Sequence, residues 1–99
     1  MIGDEIKKLR TSKGIVQRMV AAHLDVDSAY ISKMESEEKP VSRGYISRLA
    51  ELFEVTPKEL EIIWLADRIL EVLADEPHAK EVLALVKKKM AEGVAGSQD

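Results

Sequence analysis

Apolar residues recur along this chain at helical spacing, in runs separated by turn and capping residues. Ile2, Ile6 and Leu9 share one face of a first helix over about 2–12, with Lys7, Lys8 and Lys13 outward and Gly14 as a left-handed stop. Ile15 anchors the connection. Val20, Ala21 and Leu24 line one side of a second helix at about 16–24, and Ile31 and Met34 do so in a third at about 28–35. Between these two, Leu24-Asp25-Val26-Asp27-Ser28 changes character too quickly for one continuous helix. Asp27 is a good N-cap, because its carboxylate can accept from the unpaired N–H groups of the next turn. Ser36-Glu37-Glu38-Lys39-Pro40-Val41 reads as a loop, with proline as the breaker. Tyr45, Ile46, Leu49, Ala50, Leu52 and Phe53 then supply the buried side of a fourth helix at about 42–53, which Ser42 can cap.

Thr56-Pro57-Lys58-Glu59 is a new start signal: a capping threonine, a first-turn proline and a glutamate at the third helical position. The fifth helix, about 57–74, is apolar around most of its circumference, through Leu60, Ile62, Ile63, Trp64, Leu65, Ala66, Ile69, Leu70, Val72 and Leu73. Such a helix must be covered on more than one side. Asp75-Glu76-Pro77 breaks the chain, and Pro77 is expected at the first position of a sixth helix over about 77–91. Val82, Leu83, Leu85, Val86 and Met90 form its stripe, Lys87, Lys88 and Lys89 suit its C-terminal end, and Gly93 closes it. Residues 94–99 are small and polar, a flexible tail by composition.

The second and third helices, crossing through a short turn with the small Ala21 at their approach, have the pattern of a helix-turn-helix. Residues 2–60 resemble the Cro/repressor-type (XRE family) helix-turn-helix domain. The matching positions are Ile6, Leu9, Arg10, Gln17, Ala21, Leu24, Val26, Ile31, Ser32 and Glu35, followed by Leu49, Ala50, Phe53, Val55 and Leu60. Two positions depart from the family pattern. Asp25 stands where the turn usually has glycine, and Glu37-Glu38 replaces a glycine-basic loop. The resemblance implies an all-α fold: a five-helix lambda-repressor-like DNA-binding domain, here with an extended fifth helix and an added C-terminal helix. The expected organisation is a DNA-binding domain over 1–60, a dimerising extension over 61–93 and the tail. In similar domains a pair such as Arg10 and Glu35 ties the first helix to the end of the third.

A recognition helix offers its N-terminal and outward residues to base edges. Here those are Ser28, Ala29, Ser32 and Lys33. Ala29 can meet a thymine methyl, the serines discriminate weakly, and Lys33 reaches either guanine or a phosphate. None of the bidentate Arg, Asn or Gln readers stands on this edge, so base preference is expected to draw on water and DNA shape as well. Gln17, at the start of the second helix, is the first phosphate contact the resemblance implies. Arg18, Lys39 and Arg43 are further phosphate candidates, with Arg10 or Lys13 as additions, and Tyr30 is placed to reach the groove or a phosphate. Trp64, Leu65, Ile69, Val72, Leu83 and Val86 are the candidate dimer interface.

Charge refines this picture. The chain carries a net −3 over its 99 residues, but residues 1–56 hold nine Lys/Arg against nine Asp/Glu, and the acidic excess lies beyond them. A duplex-binding face needs local positive potential rather than a basic protein. A neutral half-molecule binds DNA modestly, which favours a homodimer. There is no cysteine, hence no disulfide or thiolate metal site. His23 and His78 lack metal-ligand spacing, and no nucleophile–base arrangement is legible, so neither a cofactor nor an enzyme is expected. No signal peptide or membrane span is legible, and a cytoplasmic location is expected. The leading expectation is a transcriptional regulator, a repressor or autoregulator, acting on double-stranded DNA as a dimer at a palindromic site. The alternatives are an antitoxin or restriction-modification controller whose C-terminal helices bind a protein partner, or an interaction module without DNA binding.

Overall fold

A computed structural model describes residues 1–93. The expected tail, 94–99, lies outside the described residues. The fold is all-helical: α1 (Ile2–Ser12), α2 (Gln17–Leu24), α3 (Ser28–Glu35), α4 (Ile46–Phe53), α5 (Pro57–Leu73) and α6 (Ala79–Ala91), with a turn of 3-10 helix over Arg43–Tyr45. No helix among the described residues is long and apolar enough to cross a membrane.

Four helices end in the same way. The residue after each helix end, or one beyond, turns left-handed: Gly14 (φ 69°), Asp25 (60°), Glu37 (66°) and Glu54 (59°). The next N–H then reaches back five residues, Ile15 to Arg10, Val26 to Ala21, Glu38 to Lys33 and Val55 to Ala50, at 2.9–3.0 Å. These closures satisfy carbonyls that the helix leaves unpaired. In three of the four, the returning residue is apolar and packs on the core: Ile15, Val26 and Val55. Of these four positions, only Gly14 is glycine. Asp25 is left-handed where the family pattern has glycine, as its short polar side chain tolerates, and the two glutamates are so without any signal in the sequence.

Two compact units are present, dividing at Leu70 within α5. The core of the first is built from Ile2, Ile6, Val20, Ala21, Leu24, Ile31, Met34, Val41, Ile46, Leu49, Ala50, Phe53 and Leu60. These are the inward positions that the 3.6-residue period selects. Ile63 and Trp64 still pack against this core, and Asp67 accepts from the Ile2 N–H at 2.8 Å. The first unit therefore reaches well past residue 60. In the second unit no residue of α6 is buried, and Val72, Leu83, Leu85 and Met90 are exposed.

Two boundaries differ from the sequence reading. The fourth helix opens as the tighter 3-10 turn, with Tyr45 N–H on the Ser42 carbonyl at 3.1 Å, and the Ser42 side chain caps nothing. Val41, immediately before it, is drawn into the core. The sixth helix starts at Ala79 rather than Pro77, after a turn in which Ala79 N–H bonds the Glu76 carbonyl. At the start of α5, by contrast, the capping box forms. Glu59 Oε2 accepts from both the N–H and the hydroxyl of Thr56 at 2.9 Å, and Thr56 Oγ1 accepts from Glu59 N–H at 3.3 Å. Those bonds, the backbone one first, pull the Glu59 carboxyl below its usual range.

Candidate nucleic-acid interface

The candidate recognition helix is α3. Asp27 Oδ1 accepts from Tyr30 N–H at 2.9 Å and fixes where it begins. Ile31, Met34 and Glu35 face inward, while Ser28, Ala29, Ser32 and Lys33 are exposed along the opposite edge. Ala21 is buried in the core, and α2 packs against α3. The four residues expected to meet base edges thus share one open edge.

Gln17 begins α2, and Val16 before it gives that end no side-chain cap. A helix start of this kind can be capped by a phosphate. The Gln17 amide is already oriented: Nε2 donates to Glu35 Oε1 at 3.0 Å. Glu35 in turn receives Arg10 at both oxygens, Nε to Oε2 at 2.6 Å and Nη2 to Oε1 at 3.0 Å, and Arg10 Nη1 also donates to the Ile15 carbonyl at 2.9 Å. Arg10 is committed to this buried network. Lys13 lies 3.8 Å from Glu54. Both of the additional phosphate candidates therefore face carboxylates. Arg18, Lys33, Lys39 and Arg43 are exposed, and among the described residues none of them has a carboxylate within ion-pair distance.

Tyr30 is half-buried against the core rather than standing free. Its hydroxyl donates to the Pro40 carbonyl at 3.3 Å, and its ring meets Tyr45 edge-on at 6.0 Å between centroids. Burial first, and Tyr45 second, push the phenol above its ordinary pKa, so it remains a donor. The acidic loop has a structural occupation that the sequence does not signal. Glu37 Oε2 accepts from Asp4 N–H at 3.2 Å and pairs with the Met1 amine, so it caps the start of α1.

The candidate interface residues on α5 and α6 separate by direction. Leu65 and Ile69 are exposed, as are Val72, Leu83 and Val86 in the second unit. Trp64 instead turns inward: Nε1 donates to the Val41 carbonyl at 2.6 Å, and the ring packs on the core. Ile62, which the sequence reading omits from the interface, is 58% exposed and precedes Leu65 and Ile69 at steps of three and four residues. That spacing makes one outward stripe, a signal present in the sequence but hidden by the apolar residues all round the helix.

A family model described as Helix-turn-helix matches residues 6–60, more than half of the chain. No curated protein and no solved structure matches it.

Proposed function

The chain belongs to the Cro/repressor-type (XRE) helix-turn-helix family of DNA-binding transcriptional regulators, and from that premise we propose that it works as a homodimeric repressor or autoregulator on a two-fold symmetric operator. The observation that carries the reading is the open edge of α3, on which Ser28, Ala29, Ser32 and Lys33 are all exposed, with Arg18, Lys39 and Arg43 exposed as well and without an ion-pair carboxylate among the described residues. In this reading Ser28, Ala29, Ser32 and Lys33 read base edges. Gln17, Arg18, Lys39 and Arg43 hold phosphates and set the register without reading sequence. Tyr30 supports the loop behind them through its bond to Pro40.

Dimerisation follows from charge and from uncovered surface. Each DNA-binding half is neutral, so a single copy gains little from the duplex. The outward stripe Ile62, Leu65 and Ile69 offers a second copy an apolar seam. A two-fold pair would present two recognition helices about one DNA turn apart, near 34 Å. The experiment is a gel shift on the DNA upstream of the protein's own gene, across a salt series, with sedimentation of the same sample. Dimeric protein and a shift that weakens steeply with salt support the reading. A monomer that binds tightly removes the dimer from it. A different protein co-purifying on the apolar stripe in place of a second copy favours the antitoxin or restriction-modification controller instead.

A further inference from the structure

The loop between α3 and α4 is held at two adjacent carbonyls by two aromatic donors. Tyr30, from the recognition helix, bonds Pro40, and Trp64, from α5, bonds Val41 at 2.6 Å. The next cation along, Arg43, lies over the Trp64 ring, 5.4 Å from its centroid. Arg68 lies over the same ring at 5.3 Å. Trp64 stands outside the family-matched residues 6–60, so this hold on the loop comes from the chain's own extension of α5.

An indole attracts a guanidinium through its negative face. A stack of this kind differs from an ion pair in one respect that matters for DNA. The charge is not neutralised, and the N–H groups at the guanidinium edge stay free to meet an oxyanion. A long side chain on an exposed loop otherwise loses rotamer freedom when it grips a phosphate, and stacking restricts it beforehand. We propose that Trp64 is a positioning residue for duplex binding: it holds Arg43, and the loop that carries it, in the posture that meets a backbone phosphate beside the recognition helix. The proposal rests on the regulator reading above and adds to it a residue beyond the family domain.

The test uses the full chain and a random-sequence duplex oligonucleotide, with affinity followed by anisotropy across a salt series. Arg43→Ala lowers the salt slope by roughly 0.9 per chain if it removes one phosphate contact. Trp64→Leu reproduces most of that loss in the wild-type background and adds none in the Arg43→Ala background. Trp64→Phe keeps a ring but loses the N–H, so it gives a smaller loss that also disappears when Arg43 is absent, and it carries the comparison if Trp64→Leu fails to fold. In the free protein the Arg43 Hε resonance is shifted upfield by the ring and returns towards its ordinary position in Trp64→Leu. Losses of affinity that are equal in both Arg43 backgrounds, with the slope unchanged, overturn the proposal and leave Trp64 a packing residue. A wild-type chain with the shifted Arg43 resonance but no salt-dependent duplex binding overturns the regulator reading itself, and the proposal with it.

Discussion

Arg10 and Glu35 meet side by side across 25 residues of sequence, with two hydrogen bonds of 2.6 and 3.0 Å and the Glu35 side chain only 3% exposed. The pair fastens α1 to the last turn of α3, and Gln17 and the Ile15 carbonyl take up further hydrogen-bonding capacity around it. A buried charge that keeps its partners is tolerated, whereas one that loses them is costly. Glu35→Ala strands the Arg10 guanidinium, and a loss of about 3 kcal/mol is expected in urea unfolding. The double variant Arg10→Met with Glu35→Leu loses less than Glu35→Ala, because no charge is left stranded. A double variant as unstable as the two single losses combined would show that the two residues act independently.

Gln17 and Arg18 are neighbours at the start of α2, yet they predict different signatures. Gln17 is neutral, so Gln17→Ala weakens duplex binding without altering its dependence on salt. Arg18 carries an unneutralised charge, and Arg18→Ala lowers the slope of log affinity against log salt by roughly 1. Anisotropy titrations at several salt concentrations read both. Loss of the Gln17 amide also leaves Glu35 short of one donor, so a small fall in thermal stability accompanies that variant.

Lys33 stands on the open edge of α3 with no carboxylate in reach among the described residues. If its ammonium reads guanine, Lys33→Ala relaxes the preference at one base pair by about 1–3 kcal/mol and leaves other positions unchanged. Selection of bound sequences from a random pool, for wild type and variant, measures this directly. A uniform loss across all sequences assigns Lys33 to a phosphate instead.

What the sequence makes legible here is local chemistry at fixed spacing. Asp27 three residues before Tyr30, and Thr56 three before Glu59, announce helix starts because the bonds they make are short-range. The inward edge of α1 to α4 follows from helical period. The remainder depends on contacts between distant residues. Nothing in Glu37 or Glu54 signals a left-handed turn, since those residue types seldom adopt one. Glu37 reads as a lost basic contact until Asp4, 33 residues earlier, is found on its carboxylate. The direction of α5 is ambiguous for a different reason. With apolar residues on nearly every side, period alone does not choose between Ile62 outward and Trp64 inward. The choice is made by the Val41 carbonyl, which gives the indole N–H a partner inside the fold.

The stripe Ile62, Leu65 and Ile69 carries the dimer part of the reading. A carboxylate placed in a seam between two copies has no partner, and two-fold symmetry brings two such charges together. Leu65→Asp is therefore expected to sediment as a monomer at concentrations where the wild type is a dimer. Its melting temperature stays close to that of the monomeric domain, because Leu65 is 42% exposed and makes no part of the buried core. Duplex affinity falls with the loss of the second half-site. A dimer that survives Leu65→Asp places the association elsewhere.

Gly3 is fixed by a steric constraint between two helices. In sequence it is a glycine in the first turn of a helix, a mild weakness that alanine would ordinarily repair. In the fold it is the point where α1 touches the end of α3: a Cβ added there would lie 2.1 Å from the Met34 carbonyl oxygen, a backbone atom that cannot rotate away. Gly3→Ala must push the two helices apart, and with them the Arg10–Glu35 pair that joins the same two helices. A loss of about 3 kcal/mol, at the upper end of overpacking costs, is expected in urea unfolding. Gly14→Ala is the matched control. Its Cβ would enter open space, so only the left-handed backbone (φ 69°) resists it, at about 1–2 kcal/mol. The two variants also differ in what they do to DNA binding. Gly3→Ala shifts α3 and weakens the duplex complex even at temperatures where the protein stays folded. Gly14→Ala leaves the recognition helix in place and binds as the wild type does. Equal effects of the two on stability and on affinity would mean that α1 and α3 do not meet as closely as the Gly3–Met34 contact requires.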